Sequence, residues 1–237
     1  MSTTFDFGEH VVLVTGASGS LGVATVEAFH RAGATVCTTA RHPPDDGFGL
    51  DDTDRIEFYE GDFTDEASVE QVVDEVQTEH GRIDALVNLI GAWRGGTPLD
   101  ETTVDSFESV FDVNLKTVFL ASKYALPTLQ NSEGNIVSVS SRSSLSGGRG
   151  DGPYRAAKAG VRLLTETIAE ENVGEVRANA ILPSTIDTSS NREMLPDADH
   201  DSWPTPEKIA EVILFLSTDA ATVTSGAAVP VYGETRD

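Results

Sequence analysis

The sequence predicts an α/β domain built on a doubly wound parallel sheet of about seven strands, with helices on both faces. Strand-like and helix-like segments alternate from one end of the 237-residue chain to the other, which is the pattern of a parallel sheet with crossover helices. The apolar fraction of 39% is sufficient for a buried core. No internal repeat or linker divides the chain, so we expect a single domain over residues 1–237.

The elements follow from changes in apolar periodicity. His10–Thr15 is a short apolar run that ends in glycines, as expected of a buried strand. Apolar residues then recur at helical spacing over Leu21–Ala32, and Gly33 ends that helix. Pro153 marks the turn before a later helix. The same patterns predict strands over Thr35–Thr39, Ile56–Glu60, Ala85–Leu89, Asn135–Ser140, Arg177–Leu182 and Ala227–Val231, and helices over Glu66–Glu79, Val104–Leu129, Tyr154–Glu171 and Pro206–Ser217.

The chain is strongly acidic, with 39 Asp and Glu against 16 Lys and Arg and a formal net charge of −23. Nucleic acids and anionic membranes bind basic surfaces, so we expect neither as a partner. No apolar run approaches the roughly 20 residues of a spanning helix, and no secretory signal is visible at the N-terminus. We therefore expect a cytoplasmic protein. The acid surplus is typical of a high-salt cytoplasm.

A glycine-rich turn joins the first strand to the first helix. In such a turn, unpaired backbone N–H groups and the positive end of the helix dipole face an anion, and glycines leave room for a pyrophosphate. Its position after a buried strand and before an amphipathic helix predicts a dinucleotide site rather than a plain tight turn. The expected cofactor-binding residues in this turn are Gly16, Ser18, Gly19, Ser20, Leu21 and Gly22.

A second motif places a phenol and an ammonium one helical turn apart, at Tyr154 and Lys158. Such a pair alone is common. Ser141 stands at the end of a predicted strand, thirteen residues before Tyr154, and Asn114 lies inside a long predicted helix. Together with the glycine-rich turn, this set resembles the single-domain short-chain dehydrogenase/reductase family over essentially the whole chain. The resemblance implies a Rossmann fold that binds a nicotinamide cofactor, and hydride transfer between that cofactor and a carbonyl or alcohol.

The resemblance also implies a role for each of the four side chains. Tyr154 would donate the proton, Ser141 would hold the carbonyl oxygen, and Asn114 would support a proton-relaying water. Lys158 would hold the nicotinamide ribose. An ammonium about 4 Å from a phenol, at an effective dielectric near 20, contributes roughly 4 kcal/mol, so we expect Lys158 to lower the pKa of Tyr154. Other cofactor contacts implied by the family are Asp62, Asn88, Gly91, Pro183, Ile186 and Thr188.

The choice between NAD and NADP depends on the residue that ends the second strand. An acid there binds the ribose 2′-hydroxyl of NAD, whereas a basic residue accommodates the 2′-phosphate of NADP. Here the position is Ala40, and Arg41 follows it, which favours NADP(H). Asp45 and Asp46 follow closely and would repel a phosphate that they faced. NAD(H) therefore stays open as the alternative.

Three positions depart from the family pattern. Ser20 stands where the second glycine is usual, Leu89 and Ile90 replace Asn and Ala in Asn-Asn-Ala-Gly, and Ser184 replaces a glycine. None of these changes removes a member of the catalytic tetrad. The tetrad is therefore expected to be complete.

The sequence indicates the type of reaction more precisely than it indicates the substrate. Segments 91–96 and 182–203 resemble dihydropteridine reductase, so a quinonoid pterin is one alternative substrate. That family lacks the serine supplied by Ser141 and carries an acid in place of Ala40, so a small ketone or 3-oxoacyl thioester ranks first. A non-catalytic NADP-binding or sensing protein is a further alternative, which the intact tetrad disfavours. The expected substrate residues are Trp93, Ser143 and Trp203, and the expected substrate loop covers about 183–205.

Two further expectations concern assembly and metals. The apolar faces of Val104–Leu129 and Tyr154–Glu171 are compatible with a homo-oligomer, a tetramer or dimer as in the resembling family, with core packing as the alternative. The five histidines have no ligand spacing, so we expect no metal site. Cys37, the single cysteine, lies in an apolar run and is expected to be buried and structural.

Overall fold

A computed structural model describes residues 5–45, 47–50 and 53–233 of the chain. Asp46, named above near the expected 2′-phosphate position, lies outside the described residues. Seven strands form one sheet in the order β3-β2-β1-β4-β5-β6-β7, and every pairing is parallel. This confirms the predicted fold class. The strands are β1 (Val11–Thr15), β2 (Thr35–Ala40), β3 (Ile56–Glu60), β4 (Ala85–Asn88), β5 (Asn135–Val139), β6 (Arg177–Pro183) and β7 (Ala228–Val231).

Helices cover both faces of the sheet, as the sequence predicts. On one face of the sheet, a single apolar core includes Val72, Leu120 and Ile168, each from a different helix. Phe29 and Ile213 represent two helices in a second core on the opposite face. Burying both faces explains why the central strands read as continuous apolar runs. The helices are α1 (Ser20–Arg31), α2 (Glu66–His80), α3 (Val104–Phe111), α4 (Thr117–Ser132), α5 (Gly152–Glu171), α6 (Ser189–Met194) and α7 (Pro206–Leu216).

The strand order places a ligand crevice beside β1. This strand pairs with β2 on one side and β4 on the other, so the direction of winding reverses between β1 and β4. In open α/β sheets, ligands bind outside the carboxyl ends of the strands at such a point. The glycine-rich turn and the segments that follow β4 and β5 all lie at this edge.

Two elements differ from the sequence prediction. The long helix expected over Val104–Leu129 is divided by a π-helical turn, Asp112–Lys116, between α3 and α4. Part of the expected substrate loop forms the short helix α6, whose first turn is capped by the Thr188 side chain. Six residues are too few to produce a visible apolar period, so this helix could not be predicted from periodicity.

Cys37 is fully buried within the first core, as expected. Burial raises the pKa of its thiol to about 12, so the thiolate is scarce at neutral pH. A structural role follows. Among the described residues, no helix is long and apolar enough to cross a bilayer.

Candidate active site

Four predicted catalytic side chains come from three elements that meet at the carboxyl edge of the sheet. Ser141 directly follows the β5 region and begins a 3₁₀ turn, in which its hydroxyl accepts a hydrogen bond from the Ser143 amide at 3.1 Å. Tyr154 and Lys158 lie in the first turns of α5, and Asn114 lies in the π-helical turn. The Ser141 hydroxyl lies close enough to the Tyr154 phenol to exert a lowering effect on its pKa. The structure therefore places the proposed proton donor beside the proposed oxygen-binding hydroxyl.

Asn114 is fully buried and ties the π-helical turn to the segment after β4. Its side-chain amide donates to the carbonyls of Ala92 and Val110, both at 3.0 Å, and its Oδ1 accepts from the Ala92 amide at 3.1 Å. Single π-helical turns occur often at functional sites, because the extra residue redirects side chains. Here the turn directs an amide into the site.

Lys158 is almost fully buried, and its ammonium donates to the Val139 carbonyl at 2.9 Å. A Cβ on Gly91 would lie 2.7 Å from the Lys158 Nζ and 3.0 Å from the Asn114 Oδ1. Only glycine fits between these groups without displacing them. Desolvation lowers the pKa of Lys158 to about 8.

The expected effect of Lys158 on Tyr154 is wrong for this structure. The pKa of Tyr154 is raised, chiefly because burial disfavours the phenolate. The Ser141 hydroxyl opposes this shift, the charge of Asp151 adds to it, and the charge of Arg155 opposes it. Lys158 is directed to the Val139 carbonyl instead. The Tyr154 hydroxyl is therefore protonated at neutral pH.

Sequence reasoning missed the ion pair beside Tyr154. Asp151 is buried, and Arg155 Nε donates to its carboxylate at 2.6 Å. Arg155 also donates to the Ser146 carbonyl at 3.1 Å, which holds the segment between Ser141 and Tyr154 in place. The i, i+4 spacing of an acid and an arginine at the start of a helix could have indicated this pair.

The glycine-rich turn has the geometry of an anion site. Gly16 has a φ of +71°, and a Cβ on Gly22 would lie 2.4 Å from the Gly16 carbonyl oxygen. Gly19 precedes α1 and supplies no side-chain cap. Among the described residues, the amides of Ser20, Leu21 and Gly22 therefore find no intramolecular acceptor. These free donors at a helix N-terminus fit a cofactor pyrophosphate.

The adenosine side of the predicted site is polar and mixed in charge. Arg41 is exposed directly after β2, which ends at Ala40. Two hydrogen bonds from Thr64 lower the pKa of Asp62, and the charge of Arg41 contributes. The Ser18 hydroxyl donates to the His42 carbonyl, joining the glycine-rich turn to the segment after β2.

The remaining predicted cofactor residues lie after β4 and β6. Asn88 is buried, and its amide donates to the hydroxyls of Ser138 at 3.2 Å and Ser122 at 3.4 Å. Its side chain thus fastens β4 to its neighbours. Pro183 ends β6, Ile186 is half-buried, and Thr188 caps α6.

The predicted substrate residues differ in exposure. The Trp93 side chain is 49% exposed and packs against Gly95, whereas Trp203 is buried beside His200 with ring centroids 4.7 Å apart. Ser143 lies one residue from the start of the Ser141 turn. The Gly96 amide donates to the Gly150 carbonyl at 2.7 Å, so the Trp93 segment borders the segment before Tyr154.

Three potential metal ligands come together at the β3 edge of the described structure. Reactive atoms of Glu57, Glu79 and His80 lie within 4.8 Å of one another. The imidazole of His80 lies 3.1 Å from the Glu57 carboxylate, and the Tyr59 hydroxyl contacts both glutamates. Hydrogen bonds among these side chains account for the group, and the expectation of no metal stays a prediction.

Known proteins resemble the chain over nearly its whole length. A family model described as enoyl-(acyl carrier protein) reductase matches residues 16–233. Meso-2,3-butanediol dehydrogenase of Serratia marcescens is 33% identical, over 96% of this chain and 94% of the relative. The 3-oxoacyl-[acyl-carrier-protein] reductase FabG of Thermotoga maritima is also 33% identical, over 94% of this chain and 96% of the relative. The narrower likeness to dihydropteridine reductase stays a prediction.

Solved structures give the same result. A short-chain dehydrogenase/reductase from Brucella melitensis superimposes with a TM-score of 0.85 at 28% identity and covers 98% of both chains. The Thermoplasma acidophilum aldohexose dehydrogenase also has a TM-score of 0.85, at 27% identity. Fold, sequence and relatives agree. The chain belongs to the short-chain dehydrogenase/reductase family of NAD(P)-dependent oxidoreductases.

Proposed function

We propose that this protein reduces a ketone or 3-oxoacyl thioester, that it prefers NADPH, and that Asn114, Ser141, Tyr154 and Lys158 carry the reaction. The interaction of the Ser141 hydroxyl with the Tyr154 phenol is the observation that best supports this proposal. Two neighbouring hydroxyls can together donate to a single carbonyl oxygen. A pure binding protein has no need for this arrangement.

When bound, a nicotinamide cofactor would supply a hydride to the carbonyl carbon, and negative charge would develop on the carbonyl oxygen. The Tyr154 hydroxyl donates its proton to that oxygen, while the Ser141 hydroxyl stabilises it with a hydrogen bond. Burial raises the pKa of Tyr154, so the phenol carries its proton at neutral pH. Lys158, whose pKa is about 8, can return a proton to Tyr154 through a water held near Asn114.

Two residues support the preference for NADPH: position 40 carries an alanine instead of an acid, and Arg41 follows it. An arginine directly after β2 is well placed for a 2′-phosphate. Asp62 offsets part of this positive charge, because its carboxylate interacts with Arg41. Comparing the dissociation constants of NADPH and NADH for the wild type and R41Q tests the preference. NADPH should lose affinity in the variant and NADH should not.

The whole chain acts as one domain in this proposal, with residues 183–205 as the substrate loop, and copies of the chain associate. Phe111, Leu115, Phe119 and Leu164 line an apolar hollow of about 360 Å³ between the π-helical turn, α4 and α5. Phe119 is 47% exposed there. An exposed apolar surface of this kind is typical of an oligomer interface, which light scattering can test directly.

The acidic composition supports a high-salt cytoplasm as the setting. Because the net charge is −23, the acidic groups of the protein repel one another and an anionic cofactor in dilute buffer. Salt screens this repulsion. Stability and cofactor affinity should therefore rise between dilute buffer and molar KCl. A steady weakening of both would contradict this setting.

The test of function is a spectrophotometric screen of ketones, 3-oxoacyl thioesters and a quinonoid pterin, with NADPH and NADH, in low and molar salt. We expect oxidation of NADPH that depends on a ketone or 3-oxoacyl thioester. Activity with the pterin alone would favour the alternative substrate. Tight cofactor binding with no turnover of any carbonyl would favour a sensing protein.

A further inference from the structure

Most arginines of this acidic chain have a partner or an expected role. Arg177 and Arg55 donate to backbone carbonyls, and Arg41 lies at the expected cofactor site. Five others form ion pairs with carboxylates at 2.5–3.2 Å, as expected where acids outnumber bases; they are Arg31, Arg82, Arg155, Arg162 and Arg192. Arg94, Arg142 and Arg149 are exposed, yet they form no ion pair with any carboxylate in the described part of the chain. With 39 acids in the sequence, three exposed loop arginines that lack both an acidic partner and an expected role require an explanation.

All three lie in segments that follow β4 and β5 at the carboxyl edge of the sheet. Arg142 directly follows Ser141, and Arg94 directly follows Trp93. Arg149 precedes Gly150, whose carbonyl accepts from Gly96 in the Trp93 segment. The segment that carries Arg142 and Arg149 therefore joins Ser141 to Tyr154, and the segment that carries Arg94 borders it.

The neighbours of these arginines leave their charge uncompensated. The Arg142 guanidinium lies 4.9 Å from the centroid of the Tyr232 ring, and Arg94 donates to the Ser109 hydroxyl at 3.1 Å. Both partners are neutral. A guanidinium has five N–H donors in a planar fork that matches carboxylate and phosphate oxygens, so donors remain free in each case.

We propose that Arg94, Arg142 and Arg149 form an anion-binding subsite, and that the carbonyl substrate carries an anionic oxygen group, a carboxylate or a phosphate. This inference rests on the proposed carbonyl reduction. It also answers a difficulty set by the net charge of −23, because an anionic substrate needs local positive charge to enter an acidic protein. A neutral ketone would gain nothing from three unpaired arginines.

The test uses pairs of substrates that share a ketone and differ in charge. Acetoacetate, levulinate and 3-oxohexanoate are compared with their methyl esters, and dihydroxyacetone phosphate with dihydroxyacetone. For the wild type we expect kcat/KM to be at least about tenfold higher for the anion than for its neutral partner. The anion class with the larger ratio of kcat/KM over its neutral partner decides between carboxylate and phosphate. Equal values, or higher values for the neutral compounds, would overturn the proposal.

Variants locate the effect. R94Q, R142Q and R149Q should each raise KM for the anion about threefold to tenfold and change KM for the neutral compound less than twofold. R31Q, which removes an ion-paired arginine on α1, is the matched control and should change neither. Equal losses for both members of a pair would show a structural role and overturn the subsite.

Calorimetric binding of acetoacetate, levulinate and dihydroxyacetone phosphate to the NADP⁺-loaded protein separates the two proposals. Binding that weakens in the variants, without turnover of any ketone, would leave the subsite standing and refute carbonyl reduction. Turnover of neutral ketones, with no binding of the anions, would refute the subsite and leave carbonyl reduction standing.

Discussion

The two ends of the sheet differ in how far their buried polar groups are hydrogen-bonded within the protein. At the amino ends of the strands, most buried polar groups bond to other protein groups, although the Asn135 Oδ1 and the His10 Nδ1 find no partner among the described residues. At the carboxyl ends, several donors and charges are left without an internal partner. Both ends are built from the same strands, so this difference reflects what each end is used for. The amino end stabilises the fold, and the carboxyl end keeps hydrogen-bonding capacity for ligands.

Three residues show the internal pairing at the amino end. Asp84 is buried, accepts from the Val11 amide at 2.8 Å and pairs with Arg82. Arg177 donates to the carbonyls that end α7 and to those in the turn beyond it. The Asn135 amide donates to the carbonyls of Asp84 and Ser217, at 3.3 and 3.2 Å. These bonds tie successive strands and α7 together.

At the carboxyl end, α1 starts without a side-chain cap, whereas α2 and α7 are capped by Asp65 and Thr205. Lys158 is buried with no acidic partner among the described residues. Uncapped helices and buried lone cations cost stability. They persist where ligand binding uses the groups that they leave free.

The largest effect on stability is expected at the amino end. D84A removes the acceptor of the buried Val11 amide and the partner of Arg82, which is half-exposed. We expect a loss of about 2–3 kcal/mol in the free energy of unfolding, with kcat unchanged, measured by urea denaturation and steady-state kinetics. E27A breaks the exposed pair with Arg31 and should cost less than about 0.5 kcal/mol. Equal effects would contradict a special role for this end.

The opposite sign is expected at Lys158. K158M should raise the free energy of unfolding by about 1–2 kcal/mol at pH 7, after the hydrogen bond to the Val139 carbonyl is lost, and should abolish turnover. The pKa of Lys158 is about 8 in the folded protein against 10.5 normally, so between these values the unfolded chain binds more protons and the wild type gains stability as pH rises. The gain from K158M is therefore largest below pH 8 and shrinks towards pH 10.5.

The control for K158M is K208M, since Lys208 is exposed on α7. It should change neither stability nor turnover. A K158M protein that is less stable than the wild type at pH 7, measured without cofactor, would show that Lys158 serves the fold as the amino-end groups do.

The smallest effect on stability is expected at the start of α1. G19D supplies the missing cap, and a Cβ there meets only the Gly16 oxygen, at 3.6 Å. We expect a gain of about 0.5–1 kcal/mol together with at least a tenfold loss of cofactor affinity, because the carboxylate occupies the donors and repels phosphate. T205A, at the start of α7, should lose about 1 kcal/mol and bind cofactor normally. Unchanged affinity in G19D would contradict the anion site.

The sequence predicted all seven strands, because strands depend on a local pattern of apolar periodicity. The tetrad follows from the family resemblance, and the roles of its residues stay a prediction. The sequence did not predict the interactions that tertiary structure decides. The π-helical turn at Asn114 depends on bonds with Ala92 across the crevice. The direction of Lys158 towards the Val139 carbonyl, and hence the raised pKa of Tyr154, depends on burial that spacing alone does not reveal.

The most direct test of the proposed function is to separate binding from chemistry at Tyr154. In Y154F, the dissociation constant of NADPH should stay within about threefold of the wild-type value. Ketone-dependent oxidation of NADPH should fall by about 10²–10⁴-fold, because the substitution removes only the hydroxyl that donates the proton. Y124F, which removes a surface hydroxyl bonded to Glu66, should alter neither quantity. Turnover by Y154F within tenfold of the wild type would contradict the proposed role of Tyr154 as the proton donor.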